Sequence, residues 1–402
     1  MKTVIAETVG LSSTRLQRIS KVMQGYVDQH KLAGLITMLA RRGEVAHFEC
    51  FGMMDIEAGK PMQPDTIFRL HSMTKPVTSV AVMMLYEAGH FQLYDNVSKY
   101  IPEFKGVKVF SKMTPSGMEL VEPEREITVQ DLLRHTSGIT YDFLDQTPVG
   151  DLYRQADIWQ SGNLREFVQK LARLPLADHP GTRWQYGMSF DVLGYLVEVL
   201  SGMSFDTFLE EQIFKPLGMV DTAFYVPPEK LDRFSAVYGP AEEGVGLKLL
   251  DEPRTSAFLK PPSTPWGGGG LVGTASDYMR FAQMLLNGGV LEGARFLGRK
   301  TVELMTTNHL PQQLLPFFAT QDLKVQTEGL GYGLGVDVLM DIAQAHATGS
   351  VGSFGWGGAA STHFRVDPKE ELIGLIMAQF QPIRYYPIAD QFNALAYQAI
   401  VD

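Results

Sequence analysis

The sequence predicts an α/β fold of the α+β type: an antiparallel sheet built from the N- and C-terminal segments, flanked by helices, with an inserted, mostly helical domain. Three observations predict it. Strand-like runs lie near both ends of the chain, at Leu35–Ala40 and Glu44–Phe51 and again at Thr362–Val366 and Leu372–Met377. The stretch from Ser72 to about residue 220 carries helical spacing interrupted by proline- and glycine-containing loops. Apolar residues at helical spacing open and close the chain.

Taken in order, Ser12 or Ser13 can cap a helix whose Leu16, Ile19, Met23 and Tyr26 share one face. Arg42-Gly43 joins the first two strand runs as a hairpin. Asp65-Thr66-Ile67-Phe68 reads as a short strand just before Arg69-Leu70-His71-Ser72-Met73-Thr74-Lys75-Pro76. Asp191–Gly202 reads as an amphipathic helix stopped by glycine, with Tyr186 on the loop before it. Thr274 or Ser276 would cap a helix carrying Tyr278, Phe281 and Leu285. Strand signals return from about residue 325, and the chain closes on a helix over Ile388–Ile400. Residues 1–70 and 221–402 are therefore expected to form the α/β domain, and residues 71–220 the helical one.

With 402 residues the chain can bury a substantial core in one or two domains. The net charge of −10 provides no basic patch for nucleic acid or an anionic membrane, so neither is expected as a partner. A single cysteine, Cys50, excludes an internal disulfide and reads as an inert position in the second strand run. The first ten residues lack the apolar run of a signal peptide and include Glu7, and no later run reaches transmembrane length. A cytoplasmic location is expected.

The chemistry is concentrated at Ser72 and Lys75, the only S-x-x-K in the chain. Residues three apart share a helix face, so a helix opening near Ser72 sets the Lys75 amine beside the Ser72 hydroxyl. A hydroxyl becomes a competent nucleophile when a neighbouring base takes its proton. Tyr186, presented by a loop, is a second candidate for that task, since a phenol can serve as a base where ammonium charge favours the phenolate. Other chemistries lack support. Gly268-x-Gly270-x-x-Gly273 follows Pro261-Pro262-Ser263-Thr264-Pro265-Trp266, which cannot be the strand a dinucleotide fingerprint requires. Its glycines are expected instead to let backbone pass close to a cleft. No G-x-S-x-G elbow, H-E-x-x-H or C-x-x-C occurs. His71 and His135 are expected to be hydrogen-bonded structural residues.

The chain resembles the serine hydrolases of the β-lactamase and penicillin-binding protein superfamily, and within it the class C β-lactamase-like branch known as family VIII carboxylesterases. The resemblance runs from about residue 10 to about residue 400. It rests on the S-x-x-K motif, on Leu132-Leu133-Arg134-His135-Thr136-Ser137-Gly138, on Gly267–Asp277 and on Gly331-Tyr332-Gly333-Leu334-Gly335. It implies a β-lactamase-like fold with the active site in the cleft between two domains. It also implies an oxyanion hole made by the Ser72 N–H and the N–H of Ala359, within Trp356-Gly357-Gly358-Ala359, which is similar to the W-G-G of the esterases. Trp356, Gly357 and Gly358 then contribute to substrate binding. Trp356 is preferred to Trp266, the other W-G-G, because strand signals follow it directly.

Two departures from the lactamase pattern bear on substrate. Tyr186-Gly187-Met188 has methionine where lactamases carry the asparagine of Y-x-N, and Trp356 stands where they carry the lysine of K-T-G. Both changes suit a neutral ester better than an anionic lactam. The expected enzyme is a serine carboxylesterase acting on short-chain esters through an acyl-enzyme on Ser72, with Lys75 and Tyr186 as the base pair and no cofactor or metal. Acyltransferase, β-lactamase or D-amino-acid peptidase action on the same scaffold remains the alternative, as does a binding protein without catalysis.

Overall fold

The computed structural model describes residues 3–241, 246–317 and 327–402. Ser12 caps the first helix, Ser13–Asp28, by accepting from the Arg15 N–H, and Leu16, Ile19, Met23 and Tyr26 form its buried face. Strands β1 (Gly34–Arg41) and β2 (Glu44–Asp55) reverse at Arg42-Gly43, where both residues have positive φ, the turn that matches the twist of paired strands. The main sheet also contains β3 (Lys60–Pro61), β4 (Leu330–Tyr332), β5 (Asp337–Leu339), β6 (Phe354–Gly358), β7 (Thr362–Asp367) and β8 (Leu372–Ala378). Its order is β4-β5-β6-β7-β8-β1-β2-β3, with antiparallel neighbours throughout.

The two chain ends meet at the β1–β8 pair, in register from Leu35 opposite Ala378 to Arg41 opposite Leu372. Both strands are buried along their whole length, because each face is covered. Alternate residues serve the two faces. Leu35, Leu39 and Ile376 pack with Leu16, Ile19 and Phe392 of the terminal helices. Ile36, Met38, Leu375 and Met377 face the larger core, with Tyr278 and Phe281. Those two lie on the Ala275–Leu286 helix, which Thr274 caps by accepting from the Asp277 N–H. Among the described residues no single helix is long and apolar enough to cross a membrane.

Three local expectations are corrected. Only Phe68–Arg69 is strand in the Asp65–Phe68 region, because the chain turns at Pro64-Asp65 and Ile67 makes one isolated bridge to Phe234. The closing helix is Ile388–Tyr397, since Ile400 leaves it to bridge Leu11. The 109–121 region forms a hairpin, Val109–Thr114 with Gly117–Val121, inside the stretch read as helical. The strand signals expected from about residue 325 begin at Leu330; positions 325 and 326 lie outside the described residues.

Candidate active site

Ser72 sits in a single 3-10 turn, His71–Met73, that runs directly into the Thr74–Glu87 helix. The chain reaches it from the short Phe68–Arg69 strand, which pairs with Val272–Gly273. His71 takes a left-handed φ of 45° at the corner, a costly conformation for a side chain of its size. One helical turn on, buried Lys75 points back, its Nζ 3.1 Å from Ser72 Oγ. The spacing read from the sequence therefore brings the two together.

Tyr186 arrives from a loop more than a hundred residues away, and its hydroxyl lies 2.7 Å from Ser72 Oγ. The His135–Gly138 segment holds that loop: Gln185 N–H donates to His135 O, and Gly181 N–H to Thr136 O, each at 2.7 Å. Ser137 Oγ shares a 2.8 Å hydrogen bond with Ser189 Oγ at the start of the Ser189–Ser201 helix. His135 itself is fully buried against Trp184, Tyr186, Phe190 and Tyr332. Neither ring nitrogen has a hydrogen-bond partner among the described residues, which corrects the expectation of a hydrogen-bonded imidazole. Burial, with the Lys75 charge, holds it well below its usual range, so it is a neutral packing ring. His71 is likewise held at about 4 by burial and by the Arg69 and Lys75 charges.

Lys75 has two further partners that sequence reasoning missed. Its Nζ donates to Gly268 O at 2.6 Å and to the Tyr141 hydroxyl at 3.4 Å. Gly268 N–H in turn donates to Asp191 Oδ1 at 2.8 Å, while Asp191 Oδ2 is buried without a hydrogen-bond partner among the described residues. Burial raises Asp191 to about 6 despite the opposing Lys75 charge, and raises the Tyr141 phenol well above its usual range. A side chain at Gly268 would collide with Tyr141 and Asp191, the ideal Cβ falling 2.7 Å from the Tyr141 hydroxyl. That is the close backbone approach expected of the glycine run. The one available signal for Asp191 was an acid placed among the buried, apolar residues of the Ser189–Ser201 helix. Tyr141 offered none.

Ser72, Trp356, Gly357 and Ala359 line one cleft of about 910 Å³, and Trp266 lines it too. Gly358 is buried behind them, where any Cβ would sit 2.3 Å from Leu70 O; its small size lets the end of β6 pass against the Ser72 segment. Trp356 packs against Tyr186 and Tyr332. Met188 is fully buried in the core, so the expected apolar change at that position does not face the cleft. Tyr141, Phe143 and Trp159 stack along one wall, and Trp159 meets Trp266 edge-on at 4.9 Å. The cleft is thus lined by a serine hydroxyl that has an amine and a phenol within hydrogen-bond reach and by several aromatic rings.

The chain belongs to the Beta-lactamase family, whose model matches residues 19–398. Esterase EstB of Burkholderia gladioli is 31% identical over 372 residues, covering 87% of this chain and 86% of EstB. Protein Rv1367c of Mycobacterium tuberculosis is 35% identical over 359 residues, covering 88% of each chain. Among solved structures, EstCE1, described as a hydrolase with promiscuous acyltransferase activity, matches with a TM-score of 0.79 at 25% identity, over 96% of this chain and 99% of its own. The chain is a serine hydrolase of the family VIII esterase branch that its motifs resembled, and the predicted fold class holds.

Proposed function

We propose that this protein is a serine carboxylesterase that hydrolyses short-chain carboxylic esters through an acyl-enzyme. The observation that carries the reading is the position of Ser72 Oγ, within hydrogen-bond reach of both Lys75 Nζ and the Tyr186 hydroxyl on a cleft otherwise rich in aromatic side chains. Ser72 attacks the ester carbonyl while Lys75 and Tyr186 accept its proton. The Ser72 and Ala359 N–H groups hold the oxyanion, and Trp356 and Gly357 flank the bound substrate, with Gly358 keeping their strand close. Tyr186 returns the proton to the departing alcohol, and water activated by the same pair releases the acid. Residues 71–220 supply one wall of the cleft, and 1–70 with 221–402 the other. With the esterase reading go a cytoplasmic location and the absence of nucleic-acid and membrane partners, open to fractionation and binding assays.

The test is direct. A serine-directed phosphonate should label Ser72, and Ser72→Ala should abolish turnover of p-nitrophenyl esters with the fold intact by circular dichroism. A label on another serine, or an active Ser72→Ala enzyme, overturns the assignment. Acyl transfer to an alcohol is the second reading, favoured by the likeness to EstCE1; mixed ester product in the presence of added alcohol would reveal it.

A further inference from the structure

Arg69 lies three residues before Ser72, and its side chain is almost wholly inaccessible to solvent. A buried guanidinium is costly unless all its donors are used. Here they are. Nε donates to Asp251 Oδ2 at 2.8 Å, Nη1 to Ser235 O at 2.7 Å and Nη2 to Ser256 Oγ at 3.0 Å. Ser256 Oγ also donates to Asp251 Oδ2 at 3.0 Å, closing a small ring of hydrogen bonds. The guanidinium carbon stands 4.0 Å from the centre of the Phe234 ring and 5.7 Å from that of Phe258. Gln379 grips the backbone of the same residue from the end of β8: its Oε1 accepts from Arg69 N–H and its Nε2 donates to Arg69 O, both at 3.1 Å.

These partners divide into two groups. Gln379 directly follows β8, and Ser235 is bonded to Ile67 O through both its N–H and its hydroxyl. Asp251 and Ser256 belong to the 247–259 segment, which lies outside the main sheet: Leu247–Asp251 pairs with Val237–Pro240, and Phe258 O accepts from Val226 N–H at 2.7 Å. That segment places Leu250, Ala257 and Phe258 on the cleft. Phe258 also receives support from Ser256, whose Oγ accepts its backbone N–H, and its ring meets His71, the neighbour of Ser72, edge-on at 6.4 Å. Leu250 is half exposed, and the neighbouring Asp251 is the residue that joins this end of the wall to the Arg69 guanidinium.

We propose that Arg69 is a positioning residue that fastens the Leu250–Phe258 wall of the cleft to the segment carrying Ser72, and so determines how well the site holds acyl groups longer than acetyl. This rests on Ser72 being the nucleophile. On this proposal an acetyl group stops short of the wall, whereas a longer chain lies along it and gains apolar contact only if the wall keeps its place.

The experiment alters the wall's side of the clamp and leaves Arg69 in place. Ser256→Ala and Asp251→Asn are compared with wild type on p-nitrophenyl acetate and hexanoate. The expected result is a KM for hexanoate raised about fivefold in Ser256→Ala and further in Asp251→Asn, with kcat for both esters and KM for acetate within about twofold of wild type. Ser256→Ala is the milder change, so the test survives if Asp251→Asn fails to fold. Phe258→Ala, which removes wall surface, should lower hexanoate efficiency, and adding Ser256→Ala to it should cause little further loss. Equal losses on both esters, unchanged kinetics on both, or full additivity with Phe258→Ala would each overturn the proposal. Phosphonate labelling of each variant keeps the two hypotheses apart, because a label away from Ser72 indicts the nucleophile and not the clamp.

Discussion

Asp191 offers a quantitative test of how this site is built. Its carboxyl is buried, and it is moved from the ordinary 3.8 to about 6, burial outweighing the attraction of Lys75. A folded-state value above the unfolded one means that the native protein binds the extra proton between those limits. Stability is then full at low pH and declines as pH rises through that window. Two units correspond to about 3 kcal/mol of lost stability well above pH 6, and about half of that is already lost near pH 5. Asp191→Asn removes the titration. It also introduces constant effects, such as an amide N–H where Oδ2 now has no partner, worth about 1 to 3 kcal/mol in either state of ionisation. Those constants cancel when the same pair of proteins is compared at two pH values. From about pH 5 to about pH 7.5, the variant should therefore gain about 1.5 kcal/mol on wild type, read from urea unfolding of both proteins. A difference that stays flat across the window would mean that Lys75 holds Asp191 as an ion pair, and that burial is not the dominant influence. The carboxyl is accordingly a place where stability is given up beside a buried lysine, a trade common where a site is proposed to be active.

Two further outcomes follow from the geometry. If Lys75 and Tyr186 share one proton-transfer task on Ser72 Oγ, then Lys75→Ala, Tyr186→Phe and the double variant should show similar, large losses in kcat, and full additivity would refute the coupled pair. If Trp356, which lines the cleft, takes the place of a lactamase cation as proposed, kcat/KM for short-chain p-nitrophenyl esters should exceed that for a chromogenic cephalosporin by at least about tenfold, roughly 1.4 kcal/mol; parity would return the site to lactam chemistry.

What was legible in the sequence was local. The Ser72–Lys75 pair is three residues apart on adjoining turns, so its geometry follows from helix spacing alone. The Ser13–Asp28 helix and the Arg42-Gly43 hairpin are local in the same sense, each carrying its own cap or turn chemistry. The hairpin at 109–121 escaped because Val109 is its one buried strand residue and its apolar positions do not keep the alternation that a half-buried strand displays. Tyr186 was reached through its resemblance and its loop context, not through spacing, because the structure that carries it is the buried 135–138 segment.

The residues that surround the pair were hidden for a different reason. Tyr141, Gly268 and Asp191 come from three separate segments, and none has a distinctive motif. Each matters only through what burial does to it: an acid kept partly neutral, a carbonyl aimed at an ammonium, a phenol kept protonated. Arg69 was in plain view three positions before the serine, yet Ser235, Asp251, Ser256 and Gln379 lie from 166 to 310 residues away. A serine and the lysine beside it can be specified within one helical turn. The walls that decide which ester reaches them are assembled from the far ends of the chain, and only the folded protein brings those ends to the serine.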